Sequence, residues 1–421
     1  MSKIIAKLRN FADSEMMTHR EPIQVDRFRY ALPEKRIARY PLPERDGSSL
    51  LLYEGGTVSH HRFHELPGLI PDHSWMVFNN TRVLQARMSF RKQTGAIIEV
   101  FCLEPADPPD YQLALQSTAG CSWHCLVGNA RKWKTGSIAM KTRVEGHDIT
   151  VHAFMEEQTR DGFKVRFAWD SAEHSFGEIL ESAGSTPIPP YLKREAEAGD
   201  RERYQTIYNR DPGSVAAPTA GLHFTDRVME KLGERGISMK ELTLHVSAGT
   251  FVPVKQDDAR QHAMHEELVT VSRAFLEYWV AHTGGLLAIG TTTTRSLETL
   301  YWLGARIASG ESPDPSTLKF RQWENESIPG HYPIEKSLES LLDYCEKWEL
   351  EQLHFTTSLM IVPGYRFRAI SALLTNFHMP GSTLLLLVAA LIGDDWRKVY
   401  DEALGGNYRF LSYGDSSLLL P

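Results

Sequence analysis

Polar side chains able to do chemistry crowd one short stretch of this chain, LLTNFHMPGST at positions 373–383. Thr375, Asn376 and His378 offer a hydroxyl, an amide and an imidazole directly before Pro380, Gly381 and Ser382. The last three read as a turn followed by a helix N-cap. A helix that only fills a core needs no such concentration of hydrogen-bonding groups at its entrance, whereas a binding site does. His378 is the acid/base candidate here, and Asn376 a group that can read a ligand. The apolar run Leu384–Ile392 that follows predicts a buried helix, at about half the roughly twenty residues of a membrane span.

Similar transitions recur along the chain. In APTAGLHFT (217–225), a Pro-to-Gly loop containing Thr219 delivers His223 just before a predicted helix N-terminus, where free backbone N–H groups attract anions. His223 can serve there as acid or base, or simply cap the helix and pack against Phe224. His245 lies on the polar face of a predicted strand beside Thr243, and the strand leads into Ser247–Phe251. Open α/β sheets hold ligands outside the carboxyl ends of their strands, where this loop falls; the alternative is a buried, hydrogen-bonded core histidine. GTTTTR (290–295) and Glu298 complete the set. The glycine lets a ligand approach the backbone, and Arg295 is a bidentate donor for carboxylate or phosphate. Its structural alternative is a capped helix carrying an Arg295–Glu298 surface pair.

Several chemistries find no support. No Gly-Lys-Ser/Thr follows the spacing of a P-loop, and no G-x-G-x-x-G opens a dinucleotide fold. A serine-hydrolase elbow is absent as well. His262 and His265, three apart on a predicted helix with Glu266 adjoining, are weighed as metal ligands. Their order is not that of zinc proteases, and no second ligand cluster accompanies them. Cys121, His124 and Cys125 fall in a predicted strand without a partner pair. No metal is expected, and a hydrolase centred on His262, His265 and Glu266 is the outlying alternative.

The elements that must position these residues change character along the chain. Residues 1–23 read as a frayed extension or a short helix. Trp75–Phe78 is a compact apolar strand running into Asn79, Asn80, Thr81 and Arg82. Between 82 and 170, short β-branched or alternating runs (Ile97–Leu103, Tyr111–Leu115, Ile149–Phe154, Phe163–Phe167) are separated by Gly, Pro and Asp turns, which suggests a small β-barrel or sandwich. Positions 82–143 hold nine Lys/Arg against four Asp/Glu, and Trp133 stands among Arg131, Lys132 and Lys134. RNA binders place rings among cations in this way; a solvated hairpin does so too. From 171 onward strands and helices alternate. Thr225 caps a helix with Val228, Met229 and Leu232 on one face, and Leu286–Ile289 is a buried strand before a helix carrying Leu297, Leu300 and Tyr301. The reading is α/β (mixed α+β). A large domain, residues 1–81 plus 171–421, carries an inserted small β-barrel over 82–170. The charged stretch 305–353, with a predicted helix near Ile334–Trp348, is a further insertion.

Composition bounds the function. Hydrophobic residues make up 42% and charged residues 24%, an ordinary globular balance. The net charge of −7 excludes a wholly basic surface, so any nucleic-acid contact needs a local patch. Four cysteines argue against a disulfide framework. The N-terminal MSKIIAKLRNFADSEMM lacks the apolar core of a secretory signal. A cytoplasmic monomer with no membrane attachment is expected.

Taken together, these segments resemble one family. They are FNNTRVLQARM (78–88), GAIIEVFCL (95–103), STPIPPYLKRE (185–195), RYQTIYN (203–209), VAAPTAGLHFT (215–225), LTLHVSAGTFVPV (242–254), HAMHEE (262–267), IGTTTTRSLET (289–299), VPGYRF (362–367), LLTNFHMPGSTLLLLVAALIG (373–393) and YRFLSYGDSSLLL (408–420). In order and length they are similar to the S-adenosylmethionine:tRNA ribosyltransferase-isomerases of queuosine biosynthesis. The resemblance implies a large α/β domain with a small inserted β-barrel. It also implies transfer of the ribosyl part of S-adenosylmethionine onto 7-aminomethyl-7-deazaguanine at the tRNA wobble position. Isomerisation to epoxyqueuosine follows, with release of adenine and methionine. S-adenosylmethionine is then a co-substrate, no tightly bound cofactor is implied, and the anticodon loop of tRNA is the partner.

Such chemistry needs an acid/base pair, because adenine leaves better protonated and a carbon beside the sulfonium must lose a proton. His223, His245 and His378 are the candidates. Arg295 suits the methionine carboxylate or a phosphate. Tyr413, Asp415 and Glu298 suit the sulfonium, with Glu298 also counted among the catalytic groups. Asn376 and Thr219 suit the adenine or the ribose hydroxyls, and Asn80 and Arg82 suit the tRNA. Alanine at His223 or at Arg295 is then expected to reduce turnover while leaving the fold intact. The chain departs from the family at Asn80, where an aspartate is usual, at Ser247, where a glycine is usual, and at Ser49, where an arginine is usual. Two further readings stay open: a relative that gives the same co-substrate another acceptor, and a non-catalytic RNA-binding relative.

Overall fold

Alternation along single strands shows how the main sheet is buried. Leu286 and Ala288 join one core cluster with Trp75 and Val77, while Leu287 and Ile289 join another with Met76, Phe78 and Leu374. Successive side chains of a strand point to opposite faces, so this sheet is covered on both sides. That is why central segments such as Trp75–Phe78 and Leu286–Ile289 read as unbroken apolar runs. The computed structural model describes residues 22–92, 95–133, 136–246, 256–328 and 332–421.

The main sheet has ten strands, in the spatial order Lys319–Phe320, Gln352–Thr357, Glu267–Ser272, Ser238–His245, Trp75–Asn79, Leu286–Ile289, Ala372–Asn376, Ser416–Leu420, Ser49–Glu54 and Thr57–Arg62. The middle run from Ser238–His245 to Ala372–Asn376 is parallel throughout. Its carboxyl ends therefore share one edge, which brings His245, Asn79, Ile289 and Asn376 to the same side of the sheet. The helix Thr291–Ala308 is buried from Thr291 to Arg306. It lies against the helix Ile334–Lys347 so closely that a Cβ at Gly304 would stand 2.1 Å from the carbonyl oxygen of Ser337. Leu338, Leu341, Tyr344 and Cys345 of that second helix belong to the same core as the sheet.

A second, antiparallel sheet follows the order Arg87–Arg91, Ile97–Asp107, Cys121–Gly128, Phe163–Trp169, His147–Gln158 and Ser137–Val144. Its edge strands Arg87–Arg91 and Ser137–Val144 touch, so the sheet nearly closes into a barrel around Met88, Phe90, Val100, Trp123, Val151 and Phe167. The α/β class with a barrel-like second sheet is as the sequence predicts.

Some local expectations fail for identifiable reasons. Tyr111–Gln116 is a helix rather than a strand, because Asp110 caps it by accepting from the Leu113 N–H at 2.9 Å. His262 and His265 follow a single 3-10 turn, Ala259–Gln261, and share no helix face. Trp133 is buried and donates to the Gly136 carbonyl at 3.1 Å, so its ring is not offered for stacking. Thr225 spends its hydroxyl on Asp46 at 2.6 Å instead of capping its helix. The loop holding Ser247, Lys134, and the first 21 residues lie outside the described residues. Among the described residues no helix is long and apolar enough to cross a membrane.

Candidate active site

A cavity of about 180 Å³ opens at the carboxyl edge of the parallel strands. Several of its walls come from residues just past a strand or at a helix entrance, as open α/β sheets dictate. Val246 follows one strand, Gly290, Thr291 and Thr292 follow the next, and Thr375 to Met379 end the third. Thr219 and Ala220 come from the 3-10 turn Thr219–His223. Gly290 has φ +90°, a backbone conformation that favours glycine, and this lets the chain turn from strand into helix. Its φ and the buried threonines after it aim the N-terminus of an 18-residue helix at the cavity, where the helix dipole favours negative charge. Ser382 caps the helix Thr383–Ile392 by accepting from Leu385 N–H at 3.2 Å, as its position after Pro380 and Gly381 predicts.

Three predicted residues converge here. Thr219, Asn376 and His378 all line the cavity. His378 is anchored through its backbone, which donates to the Tyr400 hydroxyl at 3.0 Å and accepts from Tyr30. Its Nε2 lies 3.0 Å from Thr375 Oγ1. Burial holds its pKa down at about 3, so the ring is neutral at physiological pH. Asn376 Nδ2 lies 3.2 Å from the Leu411 carbonyl and 3.2 Å from His223 Nε2, and Asn376 Oδ1 has no partner.

The other candidates lie elsewhere. His223 stands behind Asn376 and does not line this cavity; its Nδ1 is 2.9 Å from Ser48 Oγ and its ring packs on Phe63 at 5.0 Å. Burial, assisted by Arg409, lowers its pKa to about 3. His245 is wedged at the joint between the two sheets, stacked on Tyr111 at 4.2 Å, with its Nδ1 buried and unpartnered. A Cβ at Gly213 would stand 2.2 Å from that nitrogen. Burial lowers the pKa of His245 to about 4.

Arg295 and Glu298 form no surface pair. Arg295 is buried against Glu267, which also holds His265 at 3.1 Å. Glu298 is fully buried and accepts from the backbone N–H groups of Arg368, Ala369 and Ile370 and from the Tyr365 hydroxyl. Burial raises its pKa against the pull of those donors. Tyr413 donates to Asp200 at 2.8 Å, and Asp415 accepts from Ser49 N–H and Arg409 N–H. Both are spent on structure, away from the cavity walls. Asn80 bridges Thr243 and Asp211 at 2.8 and 3.2 Å. Arg82 pairs with Glu181 at 3.3 Å in a separate cleft of about 610 Å³ beside the second sheet. Glu266 pairs with Lys319, and among the described residues no three His, Cys, Asp or Glu converge as metal ligands. Sequence reasoning missed Ser48 and the Leu411 carbonyl, since neither carries a local signal; only the fold sets them beside His223 and Asn376.

Neutral burial of His223 and His378 has a measurable consequence. An unfolded histidine titrates near 6.5, and these two titrate near 3 when folded. Between those values the unfolded chain binds more protons, so stability falls as pH falls. The expected loss approaches about 1.4 kcal/mol per pH unit for each ring well below pH 6.5. Urea midpoints should be level from pH 8 to 7 and decline from pH 6.5 to 4; a midpoint unmoved at pH 5 would contradict the neutral-burial account.

The queuosine biosynthesis protein family model matches residues 25–419. An S-adenosylmethionine:tRNA ribosyltransferase-isomerase of Chlorobium luteolum is 37% identical over 404 residues, covering 94% of this chain and 100% of the relative. That of Geotalea uraniireducens is 35% identical over 403 residues, with 94% and 100% covered. The crystal structure of an S-adenosylmethionine tRNA ribosyltransferase from Thermotoga maritima aligns at 25% identity and a TM-score of 0.44, over 93% of this chain and 99% of that one. With a family model spanning nearly its whole length and full-length relatives above one-third identity, the chain belongs to the queuosine biosynthesis protein family.

Proposed function

We propose that the protein is an S-adenosylmethionine-dependent tRNA ribosyltransferase-isomerase. It moves the ribosyl group of S-adenosylmethionine onto 7-aminomethyl-7-deazaguanine at the tRNA wobble position and isomerises it to epoxyqueuosine, releasing adenine and methionine. Beyond family membership, one observation supports this most: Thr219, Asn376 and His378 meet on a single, mostly apolar cavity beside a helix N-terminus. Apolar walls with a few polar groups suit a nucleoside, and the helix dipole suits the methionine carboxylate. His378 is the proton-transfer group on the wall, and neutral imidazole is the form that accepts a proton. Arg295, one turn along the helix from Thr291, is buried against Glu267 and does not line the cavity, so the helix N-terminus is assigned the anionic contact. The protein acts in the cytoplasm as a monomer, and residues 82–170 form a unit of their own that meets the tRNA, with Arg82 at its margin.

The departure at Asn80 needs no change of acceptor. An aspartate there would face Asp211 across about the 3.2 Å now bridged by the amide, and two carboxylates so placed repel. The amide is therefore matched to its neighbour inside the fold.

The test incubates the protein with S-adenosylmethionine and tRNA carrying 7-aminomethyl-7-deazaguanine. Adenine should appear in step with an anticodon-loop mass gain. Adenine released only with some other acceptor, or none released at all, defeats the reading.

A further inference from the structure

Hydrogen-bond accounting fixes how the Asn376 amide is turned. The Leu411 carbonyl can only accept, so the side-chain atom 3.2 Å from it must be the nitrogen Nδ2. The second hydrogen of that nitrogen points to His223 Nε2, also 3.2 Å away, which is therefore the unprotonated ring nitrogen. The ring proton then sits on Nδ1 and is donated to Ser48 Oγ at 2.9 Å. Ser48 and His223 are both buried, so water does not compete for these bonds. With both amide hydrogens committed, Oδ1 is left buried and unpartnered on a residue that lines the cavity. A buried acceptor without a donor calls for an explanation, and a ligand donor supplies one. Phe377, Leu384 and Leu411 give the same cavity apolar walls, as a heterocycle needs.

We infer that Ser48 and His223 are positioning residues that lock Asn376 with its carbonyl oxygen toward the cavity, and that this lone acceptor selects a 6-amino purine over a 6-oxo purine. The inference rests on the S-adenosylmethionine reading above and assigns the part of that molecule recognised here. With the purine held in the same pose, a 6-oxo group would set acceptor against acceptor, and its N1–H could reach Oδ1 only by shifting the ring; sites built around a buried hydrogen bond reject such analogues. His223 then works through Asn376 and exchanges no proton with substrate.

Calorimetric titration with S-adenosylhomocysteine and S-inosylhomocysteine tests this on the full chain. The unaltered protein should bind the amino ligand at least about tenfold more tightly. Asn376→Ala should bring the ratio within about twofold of one. His223→Ala should narrow it about threefold or more, while His223→Gln, which can still accept from Nδ2, keeps most of it. A ratio near one in the unaltered protein overturns the inference without any variant having to fold, and leaves the co-substrate reading standing. An unchanged ratio in His223→Ala, with turnover abolished and a limb of the pH–rate profile removed, overturns it in favour of acid/base catalysis by His223. Failure of both ligands to bind the unaltered protein removes the co-substrate reading and this inference together.

Discussion

Alanine at Arg295 is expected to cost about 3–5 kcal/mol of folding stability, the range for breaking a buried ion pair from one side. Glu267 is 1% exposed and Arg295 3% exposed, so the carboxylate left behind would have no access to water. His265, another of its partners, lies at 3.1 Å. The sequence alone led to the opposite expectation, that Arg295→Ala spares the fold. The double change Arg295→Met with Glu267→Leu removes both charges and should recover most of the loss, because desolvation then no longer opposes burial. Urea unfolding of the three proteins settles the point. Native stability in Arg295→Ala, combined with weakened S-adenosylmethionine binding, would instead make the guanidinium a ligand contact.

Alanine at His378 is expected to lower turnover by about 10²–10⁴-fold, the usual contribution of one positioned acid/base group. The substitution is clean in structural terms. The backbone of His378 keeps its bonds to Tyr400 and Tyr30 whatever the side chain, so the loop after the strand Ala372–Asn376 stays anchored. Single-turnover adenine release should collapse while S-adenosylmethionine affinity moves little. If release stays within about threefold of the unaltered protein, His378 is a wall of the cavity and the proton moves elsewhere.

The sheet and the emergence of Asn376 and His378 at the cavity were legible from local patterns because the physics behind them is local. An apolar run such as Leu286–Ile289 between turn residues can satisfy its side chains only inside a covered sheet, and it does. Asn376 and His378 follow their strand by zero and two residues, and a loop leaving the carboxyl end of a parallel strand has few directions open to it. Tyr111 shows the limit of this logic, since one capping aspartate outweighed an apolar spacing that read as a strand.

Partner choice behaved differently. Arg295 and Glu298 sit three apart on one helix, a spacing that permits a mutual pair, yet each is claimed by a distant segment, Glu267 in one case and Arg368 to Ile370 in the other. Tyr413 and Asp415 went the same way, to Asp200 and to Ser49 with Arg409. Residue order thus settled which segments are strands and helices and where polar groups emerge from them, since those outcomes depend on neighbours a few positions away. Which buried charge meets which partner, and whether a histidine reaches the cavity or stands behind an asparagine, was decided only when the sheet brought remote loops together. A buried polar group bonds to whatever donor or acceptor the fold places within about 3 Å, and no spacing along the chain encodes that distance.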